Sequence, residues 1–368
     1  MMKKVLVVFG TRPEAIKMCP VVIELKKSLE FNTLVCITGQ HREMLEQVLK
    51  TFDVNPDYNL SIMKDSQTLF DITYGVMNGL KEILEEEKPD IVLVHGDTTT
   101  SFAAGLSSYY FRIPVGHIEA GLRTYNRMSP YPEEFNRQAI GIIADLHFSP
   151  TQAAKENLVR EGKSEKNVFV TGNTVIDALR TTVKKEYSNE IIEWAKGSRL
   201  ILLTAHRREN LGKPLRNMFY AIKDVIDITE DVKLIYPVHK NPAVRNVANE
   251  VFTGSSRIKL VEPMNVIDFH NVMDRAYLIL TDSGGIQEEA PALGKPVLVM
   301  RNTTERPEGV QAGTLKLVGT DRQNIFVEFS RLLTDRTEYA RMANATNPYG
   351  DGRASERIVN ILREYLMD

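Results

Sequence analysis

The chain has 368 residues, 43% of them hydrophobic and 26% charged, and its 46 Lys and Arg against 48 Asp and Glu leave a net charge of −2. That length favours two domains of ordinary globular composition, with a core large enough to need neither a disulfide scaffold nor a structural metal. The even charge balance excludes a basic field for nonspecific nucleic-acid binding, so any anion site has to be a local pocket.

The first apolar run, 5–9, follows Lys3-Lys4 and mimics a secretory leader, but it stops at Gly10 with Arg12 close behind. It is too short for such a segment and reads as a buried first strand. Further short apolar runs at 33–37, 91–94, 115–118 and 168–170 complete a first series, and 200–203, 234–237, 258–260, 278–280 and 297–300 form a second. Continuous rather than alternating apolar runs fit parallel strands covered on both faces. Helical periods lie between them, as in Leu69, Ile72, Val76, Leu80 and Ile83, or Leu215, Met218, Phe219, Ile222 and Val225. Strand–helix alternation implies right-handed crossovers and open parallel sheets.

The fold class is therefore α/β with two doubly wound parallel-sheet domains. The boundary falls near residues 172–188, giving domains of 1–172 and 173–350, with a last helical stretch at about 355–366 inside a terminal segment 351–368. Glu85-Glu86-Glu87-Lys88 reads as a solvated helix end. No apolar run approaches the roughly 20 residues of a membrane helix. Cys19 and Cys36 are the only cysteines, which suggests a reducing compartment, although a pairing between them stays open. A soluble cytoplasmic protein with no membrane partner is expected.

Doubly wound domains bind ligands beyond the carboxyl ends of their strands, here in an interdomain cleft. After the first run comes Gly10-Thr11-Arg12-Pro13-Glu14, then Lys17. Gly10 permits a tight turn, Pro13 suits the first helical position, and the helix N-terminus with Arg12 and Lys17 offers an anion site. A plain turn with solvated charges is the alternative. Neither GxGxxG nor a P-loop motif occurs, which weakens NAD and P-loop readings. His95-Gly96-Asp97-Thr98 follows the third run; Asp97 is either a catalytic group or a helix cap. Glu119 ends the fourth run and needs partners or a function. Glu133, in Pro132-Glu133-Glu134, fits a first helical turn complementing the dipole as well as it fits chemistry.

In the second half, His206-Arg207-Arg208-Glu209-Asn210 places a histidine and two arginines at a strand end, a set matched to phosphate oxygens. Ser283-Gly284-Gly285 lets backbone N–H groups approach a phosphate, and Glu289 one turn on can accept both ribose hydroxyls of a nucleotide. Arg306 adds a cation. No metal-ligand motif is present, so the cations would neutralise a diphosphate without metal.

Six of these motifs in this order, spanning the first strand to Arg306, resemble the non-hydrolysing UDP-N-acetylglucosamine 2-epimerases. The resemblance implies the two-Rossmann GT-B fold, with the last helix crossing back to the first domain, and a homodimer. It implies interconversion of UDP-GlcNAc and UDP-ManNAc without a cofactor, by anti elimination of UDP to 2-acetamidoglucal and re-addition, for cell-surface polysaccharide. Asp97, Glu119 and Glu133 then resemble the acid/base carboxylates and His206 the group that stabilises departing UDP. Arg12, Lys17, Ser283, Gly284, Gly285, Glu289 and Arg306 resemble UDP ligands, and Phe269 a uracil-packing position; Met264 stands where some relatives carry a polar residue. Gln40, His41, Arg207 and His239 resemble a second, regulatory UDP-GlcNAc site. General acid–base help supplies about 10²–10⁴-fold, or roughly 3–5 kcal/mol, of the ~8–23 kcal/mol that enzymes typically remove. Stabilising the leaving diphosphate has to supply much of the remainder. The sequence does not say which carboxylate is the base. Rival readings are a GT-B UDP-GlcNAc glycosyltransferase, a hydrolysing 2-epimerase and a nucleotide-sugar-binding regulator.

Overall fold

A computed structural model describes residues 2–39, 42–64 and 66–367. The chain divides into two compact units, one of residues 1–181 with 349–368 and one of 182–348. The first unit holds strands β1 (Lys3–Phe9), β2 (Phe31–Ile37), β3 (Tyr58–Asn59), β4 (Ile91–His95), β5 (Val115–Ile118), β6 (Leu146–Ser149) and β7 (Val168–Val170). They form one parallel sheet in the order β3-β2-β1-β4-β5-β6-β7. The second holds β8 (Arg199–Thr204), β9 (Val232–Pro237), β10 (Ile258–Val261), β11 (Leu278–Thr281), β12 (Val297–Val299) and β13 (Leu315–Leu317), ordered β10-β9-β8-β11-β12-β13. Each strand order reverses beside the unit's first strand, the crevice where open α/β sheets bind ligands.

Three strands escape the sequence reading. β3 has two residues. β6 carries His147 and Ser149 between apolar residues, and β13 is Leu-Lys-Leu; neither is a continuous apolar run. The helical periods are found at Leu69–Glu87, Lys213–Ile228 and Ala354–Met367. Glu87 is more than a solvated end, since Lys4 Nζ donates to it at 2.7 Å and Tyr58 also bonds to it.

Apolar helices cover both faces of the first sheet. On one, Val5, Val7 and Phe9 pack with Met18, Val22 and Leu25 and with Ile358, Val359 and Leu362 of the last helix. On the other, Leu6 and Val8 meet Ile72, Val76, Leu80, Ala103, Ala104 and Ile140. The last helix therefore belongs to the first unit. So does most of the helix Thr174–Thr182, whose Ala178 joins the same cluster, which places the changeovers at 181 and 348 instead of 172 and 350. Cys19 and Cys36 are free and buried, and burial pushes both thiols up to about 12. No helix among the described residues is long and apolar enough to cross a membrane.

Candidate active site

Gly10 is required for a reason other than its turn. A Cβ there would stand 2.1 Å from Thr38 Oγ1 and 2.8 Å from Thr100 Oγ1, so the neighbouring strand-end loops close onto bare backbone. Thr11 caps the helix Arg12–Lys27, which puts Pro13 at its second position. Glu14, to which the sequence reading gave no role, is 2% exposed. Its Oε2 accepts from Gly10 and Thr11 N–H at 3.0 and 2.7 Å, and its Oε1 from Thr98 and Ser101 hydroxyls at 2.5 and 2.9 Å. A buried carboxylate so satisfied locks the loop after β1 to the loop after β4.

Asp97 does not cap the helix Thr99–Tyr110. Thr98 does, accepting from Ser101 N–H. Asp97 Oδ2 instead faces Arg137, whose Nε and Nη2 lie 2.8 and 2.7 Å away, while Asn136 Nδ2 donates to the Asp97 carbonyl at 2.8 Å. Burial pushes the Asp97 carboxyl up against the pull of Arg137, and the charges of Glu119 and Glu133 add to the rise. A carboxyl held in reach of its proton by burial and by like charge is what general acid–base chemistry requires.

Arg137 also donates to Glu134 Oε2 at 3.1 Å. Glu134 is fully buried and accepts from Thr124 and Tyr125 N–H at 2.9 and 3.0 Å and from Gln138 at 2.9 Å. Burial opposes its charge, yet these donors hold its carboxyl below the ordinary range. The adjacent glutamates of the helix Glu133–Ile143 thus divide their tasks: Glu134 braces the 124–125 loop, and Glu133 acts on Asp97 through its charge.

Glu119 follows β5 with φ of 62°, in the left-handed region that a side chain rarely adopts. Its carboxylate is about one-tenth exposed and has three neighbours at Oε2: Lys17 Nζ in direct contact, Asn173 Nδ2 at 2.9 Å and His95 Nε2 at 3.6 Å. The resemblance makes Lys17 a UDP ligand; here its ammonium lies on Glu119, and Arg12, at the start of the same helix, is half-buried. Burial lowers the His95 imidazole to about 4, so a neutral ring faces Glu119.

In the second unit, fully buried Asp282 shapes the loop after β8. It accepts from His206 N–H at 3.0 Å, Arg207 N–H at 2.9 Å and Asn210 Nδ2 at 3.0 Å. The exposed His206 ring stacks on His239 with centroids 5.0 Å apart. Burial and the His206 ring lower the His239 imidazole.

A Cβ on Gly284 would meet Arg306 Nη1 at 2.9 Å and Arg207 Nη2 at 3.4 Å, so two guanidiniums flank the bare Ser283-Gly284-Gly285 turn. Glu288, 2% exposed, takes Arg306 Nε at 2.7 Å. Gln287 ties the turn to the arginine's loop, donating to Ser283 O at 3.0 Å and accepting from Thr304 Oγ1 at 2.6 Å. Glu289 lies 3.4 Å from buried His270 Nε2, and half-buried Phe269 packs with Met264 against the core. Such a turn with two guanidiniums fits a diphosphate.

The structure therefore gathers Asp97, Glu119, Glu133 and Lys17 at one strand-end cluster, and His206, Arg207, His239, Gly284 and Arg306 at another. Gln40 and His41 lie outside the described residues. Arg137, Glu134 and Asp282 were missed although their motifs were in view. The signal was spacing for the first two, since residues three apart share a helix face; Asp282 gives no local signal.

These two parallel-sheet units place the chain in the two-Rossmann GT-B fold class. A UDP-GlcNAc 2-epimerase from Neisseria meningitidis, described as bound to UDP-GlcNAc, superposes with a TM-score of 0.90 at 49% identity, covering 98% of this chain and all of that one. An S. aureus protein solved with UDP gives 0.92 at 51%, covering 100% and 97%. The chain belongs to the UDP-N-acetylglucosamine 2-epimerase family, whose sequence model matches residues 23–363. The Bacillus subtilis UDP-N-acetylglucosamine 2-epimerase is 59% identical over 359 residues, 98% of this chain and 94% of that one.

Proposed function

We propose that the chain interconverts UDP-GlcNAc and UDP-ManNAc without hydrolysing either. One carboxylate of the first unit takes the proton from carbon 2. The electrons of that C–H bond form the C1–C2 double bond as the C1–O bond breaks, and UDP leaves with its bonding pair, giving 2-acetamidoglucal. UDP oxygen then re-adds to carbon 1 while a second carboxyl protonates carbon 2 on the opposite face. Arg207, Arg306 and the 283–285 turn neutralise the departing diphosphate, and His206 assists it. Arg12 belongs to the same UDP set, Glu289 takes the ribose and Phe269 the uracil.

The observation that carries this reading is the placement of three carboxylates at the carboxyl ends of paired strands: Asp97 after β4, Glu119 after β5, and Glu133 at the start of the helix that follows. Inversion at carbon 2 needs a base and an acid on opposite faces, whereas a transferase or a binding protein needs no such set. The test is incubation with UDP-GlcNAc in D₂O without acceptor, followed by NMR. UDP-ManNAc deuterated at carbon 2 is expected. Free ManNAc with UDP, or unchanged substrate, overturns the proposal.

The same reading makes UDP-ManNAc a cytoplasmic precursor of cell-surface polysaccharide, and it includes a homodimer and activation by UDP-GlcNAc. Apolar side chains exposed over one face of the first sheet, among them Phe70 at 89%, Tyr110 at 65% and Ile142 at 77%, support a second copy as the partner. Light scattering at the monomer mass would remove the dimer. For activation, Arg207 and His239 stand beside His206. A lag in rates from UDP-ManNAc that added UDP-GlcNAc abolishes is expected; identical progress curves would remove the regulatory site.

A further inference from the structure

We propose that Asn173 is a positioning residue that fixes the Glu119 carboxylate and couples it to the returning C-terminal segment. The inference rests on the acid/base role proposed above for Glu119.

Glu119 is a long side chain on a left-handed strand-end residue. Carbon 2 must meet one of its oxygens in a fixed direction, because productive geometry in such transfers tolerates little displacement. Lys17 supplies charge there, but an ammonium on a four-carbon stem is a point charge with little directional restraint. The buried ring of His95 stands 3.6 Å off and donates at best weakly. The planar amide of Asn173 is different. Its Oδ1 accepts from Val175 N–H at 3.0 Å, so the amide cannot turn, and its Nδ2 is thereby aimed at Glu119 Oε2 at 2.9 Å. Only this orientation of the amide satisfies both partners. Asn173 is 2% exposed, so competing water is excluded.

The backbone carries the second half of the inference. Asn173 N–H donates to Tyr349 O at 2.7 Å. One helical turn on, Asp177 accepts from Ala354 and Ser355 N–H at 3.1 and 2.8 Å. Arg180 Nη1 donates to Gly352 O at 2.8 Å, and Arg357 Nη1 to Thr171 O at 3.0 Å. The stretch 171–180 is thus held from both sides of Asn173 by residues 349–357. The returning segment sets where the amide sits, and the amide sets where Glu119 points.

The experiment separates this from a purely structural role. Asn173→Asp keeps an acceptor for Val175 N–H but sets a second carboxyl against Glu119, whereas Asn173→Ala removes acceptor and donor without adding charge. A fall in kcat of tenfold or more in both variants, with KM for UDP-GlcNAc within twofold and both proteins folded at the assay temperature, is expected. Glu119→Gln and the parent protein are assayed alongside by carbon-2 exchange in D₂O. Asn173 variants at the parent kcat beside an inactive Glu119→Gln, or losses confined to KM or tracking the melting temperature, overturn the inference alone. A parent protein without exchange, or Glu119→Gln at full rate, overturns the proposed chemistry and the inference with it.

Discussion

Arg137 is shared between two carboxylates of different purpose: Nε and Nη2 meet Asp97 Oδ2 at 2.8 and 2.7 Å, and Nη1 meets Glu134 at 3.1 Å. One guanidinium thus partners the group proposed for proton transfer and the buried brace of the 124–125 loop.

Arg137→Met keeps the stem and deletes the charge. Asp97 then loses the guanidinium that opposes its rise, and fully buried Glu134 loses a donor. Carbon-2 exchange is expected to fall at least tenfold and stability by about 1–3 kcal/mol. Exchange at the parent rate in this variant would remove Arg137 from the acid/base apparatus.

Three buried histidines make the first unit sensitive to mild acid. His95, His117 and His147 are 4%, 0% and 2% exposed. Burial lowers them to about 4, 3 and 3. Each folded value lies below the unfolded value near 6.5, so the unfolded chain binds more protons in between and stability is lost as pH falls from about 6.5 towards 4. Three such sites give a slope of up to about 4 kcal/mol per pH unit. Urea titrations at stepped pH read the slope, and His147→Leu should reduce it by about a third. A flat profile between pH 6.5 and 4 contradicts the neutral assignment.

Gly284→Ala inserts a methyl against the flexible ends of Arg306 and Arg207 at 2.9 and 3.4 Å. The guanidiniums can swing away, so the fold is expected to survive with its melting temperature unchanged. Calorimetric affinity for UDP is expected to fall tenfold or more. Unchanged affinity would mean that these arginines do not bind the diphosphate.

Gly10→Ala meets threonines held by their own packing, at 2.1 and 2.8 Å. Overpacking of this kind costs about 1–3 kcal/mol. Thr38→Ala in the same chain removes the closer contact and should recover part of the loss, a coupling that a double-mutant cycle measures. Strict additivity of the two changes would place the defect elsewhere.

Strand alternation was legible because parallel strands buried on both faces must be apolar throughout, as 5–9 and 91–94 are. β6 was not, because His147 and Ser149 interrupt it while remaining buried. At the site, charge at strand ends revealed Asp97, Glu119, His206 and Arg306. The residues that hold them were harder to read. Arg137 is 40 residues from Asp97, Asp282 is 76 from His206, and Asn173 is 54 from Glu119. Such partners are chosen by the sheet order, and nothing local in a sequence encodes a neighbour set by topology.

The return of the helix Ala354–Met367 to the first unit has a consequence for biosynthesis. Ile358, Val359 and Leu362 fill the same cluster as Val5 and Val22, so the earliest strands wait for the latest residues to cover them. At ribosomal speeds of about 5–20 residues per second, the second unit emerges over on the order of ten seconds or more while that groove stands open. A nascent chain therefore carries an uncovered groove on its first unit throughout translation of the second, and that groove closes only once the helix Ala354–Met367 has emerged.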